Sequence, residues 1–191
     1  ANQLDYFSEA SLVKNIKSGN WITGLNFSGN QFDIKPSDSV YLKNLKNATI
    51  GVFTQLNYTF KKKTSIELGL RNDHHNFYGN FLLPRVAVFH KLTNEIGIRA
   101  GYGAGYKIPD ALAPQITDYA IENILPIGPA VEPEKSSGYN LEFNYKKKWD
   151  NEHSFFINQA FFLTQINNPI IGAINSDGNI GFSNAPKAIV D

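Results

Sequence analysis

The chain of 191 residues has no cysteine, no methionine, few charges and no long apolar run. Without cysteine there is no disulfide scaffold, no thiol nucleophile and no thiolate zinc site, and the absence suits an oxidising envelope compartment. Methionine is missing even at the start, where Ala1-Asn-Gln-Leu-Asp-Tyr6 is neither a start residue nor a signal peptide. The chain therefore reads as a piece of a longer protein. Charged side chains make up only 18%, and 18 basic against 17 acidic groups leave a net +1, whereas a nucleic-acid binder would carry a basic excess. No stretch approaches 18 consecutive apolar residues, which excludes a transmembrane helix. Aromatic residues, in contrast, are plentiful, with 14 Phe, 9 Tyr and 2 Trp making 13% of the chain. Polar residues dilute them to a mean hydropathy of −0.29, yet the apolar content is too high for a disordered chain.

The apolar residues recur with period two in segments of about ten residues bounded by turn residues, which is strand patterning. Trp21, Thr23, Leu25 and Phe27 form one row, and Ile50, Val52, Thr54, Leu56, Tyr58 and Phe60 form another. Ile66, Leu68 and Leu70 oppose Glu67, Gly69 and Arg71, and Ile96, Ile98, Ala100 and Tyr102 oppose Gly97, Arg99, Gly101 and Gly103. Tyr139, Leu141, Phe143 and Tyr145 make a fifth row. Further strands are expected at about 4–16, 85–91 and 153–166. The reading is all-β, an antiparallel up-and-down meander of about eight strands.

Connections alternate in length. Residues 17–20, 61–63, 92–95 and 146–152 are short, whereas 35–47, 74–84, 107–134 and 167–185 are longer, and a short helix is allowed from Thr117. Short turns on one side and long loops on the other are the topology of a transmembrane β-barrel. Trp21, Tyr58, Phe60 and Tyr145 fall near the short turns, and Tyr102, Tyr106 and Tyr139 near the longest loop, as two interfacial girdles require. Lys61–Lys63 and Lys146–Lys148 are placed in tight turns, as solvated charge that can face anionic headgroups.

Gly101-Tyr-Gly-Ala-Gly-Tyr-Lys107 lacks the spacing and the βαβ context of a phosphate-binding loop. Its glycines instead share an inward face with Gly97 and Arg99 and leave room for something packed inside, or for a bulge. Asp73-His74-His75 is the one cluster resembling a metal or catalytic site, but adjacent strand residues point to opposite faces. No metal site, no catalytic residue and no cofactor is therefore expected. No nucleophile elbow, Walker loop, zinc-protease or calcium-loop motif occurs. Ionic pairs such as Glu67 and Arg71 lie on one inward face, where a water-filled lumen tolerates charge.

Four ordered motifs carry a resemblance. They are Gly69-Leu-Arg-Asn-Asp-His-His75, Pro84-Arg85, Arg99 to Pro109 with its Tyr-Gly-Ala-Gly-Tyr core, and Glu132-Pro-Glu-Lys-Ser136. Phe53-Thr-Gln55 and Phe182-Ser-Asn184 add to them. Together they make the chain resemble the middle-to-late barrel strands of the TonB-dependent outer-membrane receptors. The resemblance implies that residues 1–191 are part of a 22-stranded barrel whose N-terminal plug domain and remaining strands are not in this sequence. It implies localisation in the outer membrane of a Gram-negative bacterium, contact with the lipid bilayer, and TonB acting through the plug. It further implies transport of a small-molecule ligand such as a siderophore or cobalamin, with no enzyme activity and no nucleic-acid partner. On this reading Arg99, Lys107, His74, His75 and Tyr78 are candidates for ligand contact, with Lys107 attracting an anionic chelate. Arg71 and Arg85 are candidates for barrel–plug packing through charge-assisted hydrogen bonds. Two alternatives stay open: a small eight-stranded outer-membrane barrel of adhesive or structural type, and a soluble carbohydrate-binding or hydrolytic β-domain.

Overall fold

A computed structural model describes residues 2–33, 45–110, 123–150 and 152–190. The expected 35–47 loop and the short helix from Thr117 lie largely or wholly outside them. Eight strands follow one another: β1 (Asn2–Ile16), β2 (Gly19–Asp33), β3 (Leu45–Phe60), β4 (Thr64–His75), β5 (Gly79–Lys91), β6 (Ile96–Lys107), β7 (Glu134–Lys148) and β8 (Ser154–Asn167). Three short strands complete the chain: β9 (Ile170–Ile174), β10 (Ile180–Asn184) and β11 (Lys187–Val190). The main sheet has the order β1-β2-β3-β4-β5-β6-β7-β8-β11, all neighbours antiparallel, and β9 with β10 forms a separate hairpin. The meander is as expected, with the β9–β10 hairpin where the sequence shows only a long 167–185 connection and a ninth strand, β11, directly after it. β1 and β11 each have one partner, so the described strands form an open sheet and not a small barrel closed on itself.

The period-two rows set the register. Leu68 stands opposite Leu56 and Val86, and Leu56 opposite Trp21, so one face of the sheet is a continuous apolar wall. Leu25, Val52, Leu68, Leu70, Val86, Tyr139 and Phe161 on it are exposed, which lipid but not water would tolerate. The other face carries Asn26, Glu67, Arg71, Asp73, Arg85, Asn140 and Glu142. The buried side chains of the main sheet's described strands (Asn26, Asp73, His75 and Phe81) all lie on this second, sheltered face.

One expected loop is absent. β4 runs on to His75 and pairs to Gly79, leaving only residues 76–78 as a turn where a 74–84 connection is expected. The N–H groups of Phe77 and Tyr78 donate to His75 Nδ1 at 3.2 and 3.3 Å, and Asn76 Oδ1 accepts from the Ala48 N–H at 3.1 Å. Those bonds hold the turn against the end of β3 without a glycine at its centre. The alternation of connection lengths therefore rests on the 34–44, 108–133 and 168–186 connections.

At the opposite end the short turns are as expected. Lys61 and Lys62 have φ of 47° and 56°, and the Lys63 N–H donates to the Phe60 carbonyl at 3.1 Å, closing a primed hairpin turn. In the 149–153 turn the N–H groups of Glu152 and His153 and the His153 ring bond Asp150, holding its carboxyl below the usual range. Lys146–Lys148 are not in a turn but are the last three residues of β7, paired with Phe156, Phe155 and Ser154. This end of the sheet gathers Lys14, Lys17, Lys61–Lys63, Lys91 and Lys146–Lys148, against the carboxylates Glu95, Asp150 and Glu152.

Candidate functional site

The sheltered face holds a polar cluster near the end that carries the long connections. Asp73 is 2% exposed, and its Oδ1 accepts the Arg71 Nε–H at 2.6 Å. Its Oδ2 accepts the Tyr106 hydroxyl at 3.0 Å, and the Arg71 guanidinium also donates to Asn26 Oδ1 at 3.4 Å. Room for this arrangement comes from Gly51, which stands opposite both Asn26 and Asp73. A Cβ there would collide with Asn26 Oδ1 and Asp73 Oδ1, so the small residue is dictated by the polar groups it admits. Asn26 Nδ2 and His75 Nε2 are buried with no hydrogen-bond partner among the described residues.

Tyr106 reaches Asp73 because β6 leaves its neighbour. The β5–β6 register ends at Arg85–Gly103, although β4–β5 pairing continues to His75–Gly79 and β6–β7 pairing to Lys107–Glu134. Pro84, which has no N–H to give a ladder, sits where the seam opens. Beyond it Tyr106 lies flat on the Phe81 ring, with centroids 3.9 Å apart and planes at 2°. The following Ile108, Pro109 and Asp110 line a crevice with Asn30, Asn47 and His75 of β2, β3 and β4. The start of the longest connection is thus laid across the sheltered face, and Tyr106 is not part of an interfacial girdle. Tyr102 and Tyr139 do pair on the apolar face, 5.1 Å apart.

Residues 123–133 of that connection are fastened to the next one. Ile124, Val131 and Ile180 are buried, the Leu125 N–H donates to the Ile180 carbonyl at 3.0 Å, and Ile124 bridges to Ile180. Asn184 Oδ1 accepts the Glu132 N–H at 2.8 Å, while its Nδ2 donates to the carbonyls of Glu132 and Asn168. Glu132 Oε2 accepts from Asn168 Nδ2, and Glu134 Oε1 from the Ile170 N–H, each at 2.7 Å. Residues 123–134 and the β9–β10 hairpin therefore form one unit with its own small core. Glu132-Pro-Glu134 and Phe182-Ser-Asn184, visible in the sequence only as motifs, supply the bonds that hold it.

The sequence candidates fall in different places. His74 points to the apolar face, where its Nδ1 meets Asn80 Oδ1 at 3.0 Å, while His75 is buried on the other face. The two cannot share a ligand, and among the described residues no group of three or more His, Asp and Glu could hold a metal ion. His74 and His75 belong to β4 and only Tyr78 to a turn, correcting their expected place on a long loop. Lys107 is exposed at the end of β6, as expected. Arg99, however, stands eight residues before Lys107 on the same strand, over the ring of Phe89 of β5 at 5.8 Å. At about 3.3 Å per residue that separation is roughly 26 Å, so Arg99 and Lys107 do not serve one small ligand. Arg71 and Arg85 both face the sheltered side, paired within the wall to Asp73 and to Glu67 at 3.1 Å. The sequence reading missed Asn26, Asp73 and Tyr106 as one cluster, because its members are separated by up to 80 positions.

Comparisons with known proteins agree with this architecture. The family described as TonB dependent receptor-like, beta-barrel matches residues 2–190. No curated protein matches the chain. Among solved structures, the siderophore receptor PirA from Pseudomonas aeruginosa superposes with a TM-score of 0.78 at 16% identity, over 98% of this chain and 38% of that one. The ferric enterobactin receptor PfeA of the same organism, a variant in complex with enterobactin, gives 0.74 at 17%, over 98% and 32%. The FrpB iron transporter from Neisseria meningitidis gives 0.68 at 15%, over 96% and 32%. The chain thus spans about a third of the length of the solved receptors it resembles. With a family match along nearly its whole length and an open meander that superposes on one sector of those barrels, the chain belongs to the TonB-dependent receptor β-barrel family.

Proposed function

We propose that this chain is part of the wall and mouth of a non-enzymatic outer-membrane receptor that imports a scarce solute, an iron–siderophore complex being the first choice and cobalamin the second. TonB would act through a plug domain held elsewhere in the full protein. The names of the structural neighbours, two siderophore receptors and an iron transporter, support an iron chelate. The observation that carries the reading is the fastened unit of residues 123–134 and β9–β10, rising beside a sheltered polar face. A buried core of Ile124, Val131 and Ile180 outside the main sheet costs chain entropy that a mere linker has no need to spend.

The test is replacement of residues 111–130 in the intact receptor by a short Gly/Ser linker, which a surface loop should tolerate for folding. Assembly should survive, as heat-resistant migration in gels. A ferric catecholate, a ferric hydroxamate and cobalamin serve as probes, and the probe that binds should lose at least about tenfold in affinity, roughly 1.4 kcal/mol. Unchanged binding by an intact barrel would leave this chain as wall alone.

Topology has its own check. Cysteines placed at Lys62 and at the exposed Phe77 stand in turns at opposite ends of β4. On whole cells an impermeant thiol reagent should label the Phe77 position and spare the Lys62 position. Equal labelling of the two would contradict a membrane-spanning β4.

A further inference from the structure

The net charge of +1 conceals a strong polarity. Nine of the 15 lysines lie at the short-turn end, against three carboxylates there. None of these lysines has an ion-pair partner among the described residues, whose ion pairs are Arg71–Asp73, Arg85–Glu67 and His153–Asp150, only the last of them at this end. Solvated turn charge would explain a scatter of lysines, but three of them are set beside aromatic rings on or next to the apolar face. Lys14 stands opposite Trp21, Lys61 Nζ lies 5.2 Å from the Phe60 ring centroid, and Lys147 stands opposite Phe155. These rings belong to the lower girdle, which Phe155 extends through contacts with Tyr145 and Trp149 at 6.3 Å each. A lysine thus stands next to a girdle ring on β1–β2, β3 and β7–β8 alike, over the ring itself at Lys61.

The backbone supplies a second, independent observation. Lys61 and Lys62 occupy the two left-handed positions of a primed turn, which glycine or asparagine adopts at little cost and other residues do not. Local turn chemistry does not select lysine there. An unfavourable backbone kept at a particular site points to a demand made on the side chain, and here that demand is positive charge beside the membrane surface.

We propose that the short-turn end is a binding surface for anionic phospholipid headgroups of the adjoining bilayer leaflet, phosphatidylglycerol being the simplest. The rings sit at the level of the ester groups while the ammonium groups reach the phosphates, each side chain keeping its stem on apolar surface. This rests on the membrane-barrel reading above but goes beyond it, since uptake of a solute requires no particular lipid.

The experiment uses the intact receptor in phosphatidylcholine bilayers containing spin-labelled phosphatidylglycerol or spin-labelled phosphatidylcholine, and compares the motionally restricted fractions. A basic side chain at the surface contributes about fivefold in partitioning of an anionic lipid. The wild type should therefore prefer the phosphatidylglycerol probe at low salt, and should lose most of that preference at 1 M salt, where screening acts within about 3 Å. The combined variant Lys14→Gln, Lys61→Gln, Lys62→Gln, Lys147→Gln should lose the preference at low salt, while heat-resistant migration stays unchanged. Equal restriction of the two lipids by the wild type would overturn the proposal, and so would a preference that survives both salt and the four substitutions. The salt series on the wild type decides the matter even where the variant fails to assemble. Should the Lys62 position prove accessible from outside the cell, the barrel orientation itself fails, and that result is distinguishable from equal lipid binding.

Discussion

Arginine in place of Leu68 is expected to destabilise the assembled receptor in a bilayer by about 2–4 kcal/mol, the cost of a basic side chain at the lipid midplane of a barrel wall. Leu68 lies in the middle of β4, exposed, with Leu56 and Val86 beside it on the apolar face. Its neighbour across the sheet, Gln55, projects from β3 toward the other side, where its Nε2 donates to Asn57 Oδ1 at 3.0 Å. Arginine at Gln55 should therefore cost less than about 1 kcal/mol, because the lumen of such a barrel is polar. Urea unfolding in lipid vesicles measures both. Equal penalties would show that the two faces had been assigned wrongly, and in detergent-free water alone the contrast should vanish.

The second large effect is expected at Asp73. Its buried carboxylate accepts one hydrogen bond from the Arg71 guanidinium and another from the Tyr106 hydroxyl. Alanine would remove both, each worth about 1.5–3 kcal/mol as a bond to a charged group. The Arg71 side chain, at 40% exposure, can recover part of its share from water. A net loss of about 2–4 kcal/mol follows, with asparagine at the same position losing less because its single amide oxygen can still accept from Arg71 while its amide nitrogen replaces the second acceptor. Beyond stability, the substitution unlatches Tyr106, so Pro109 and Asp110 should become more accessible to protease in Asp73→Ala than in wild type. A variant as stable and as protected as wild type would mean that the β6 extension is held by the Phe81 stack alone.

The features legible in the sequence are those that repeat at short range. Ile50 to Phe60 and Tyr139 to Tyr145 announce their strands because a two-residue period is preserved over a long run, and a buried or lipid-facing row tolerates no slip. The 76–78 turn is not announced. Asn72, His74 and Asn80 put polar residues on the face where β4 and β5 carry leucines lower down, so the alternation fades just where the strands continue. The β9–β10 hairpin is hidden for a different reason: five residues per strand around Asn175 to Asn179 are too few for a period to show. The candidate site was least legible. Tyr106 belongs by position to the apolar row of β6, and only the opened seam past Pro84 brings it to Asp73. His75 could be separated from His74 by strand geometry, but that it caps the next turn depends on the turn being there.

That three-residue turn also bears on how the molecule comes to be folded. Because 61–63, 76–78 and 92–95 are all tight, β3, β4, β5 and β6 are joined by closures of three or four residues. The step from β6 to β7 must instead close 26 residues, an entropy difference of about 2 kcal/mol relative to a three-residue loop. Local closures precede distant ones when all else is equal. The four strands β3–β6 are therefore the natural first block of this sector, already carrying Gly51, Arg71 and Asp73 in place. β7 and β8, a hairpin of their own, would dock on its β6 edge afterwards, and only then could Glu132 and Asn184 meet to join the two surface connections. The order of assembly thus runs from the wall outward to the mouth.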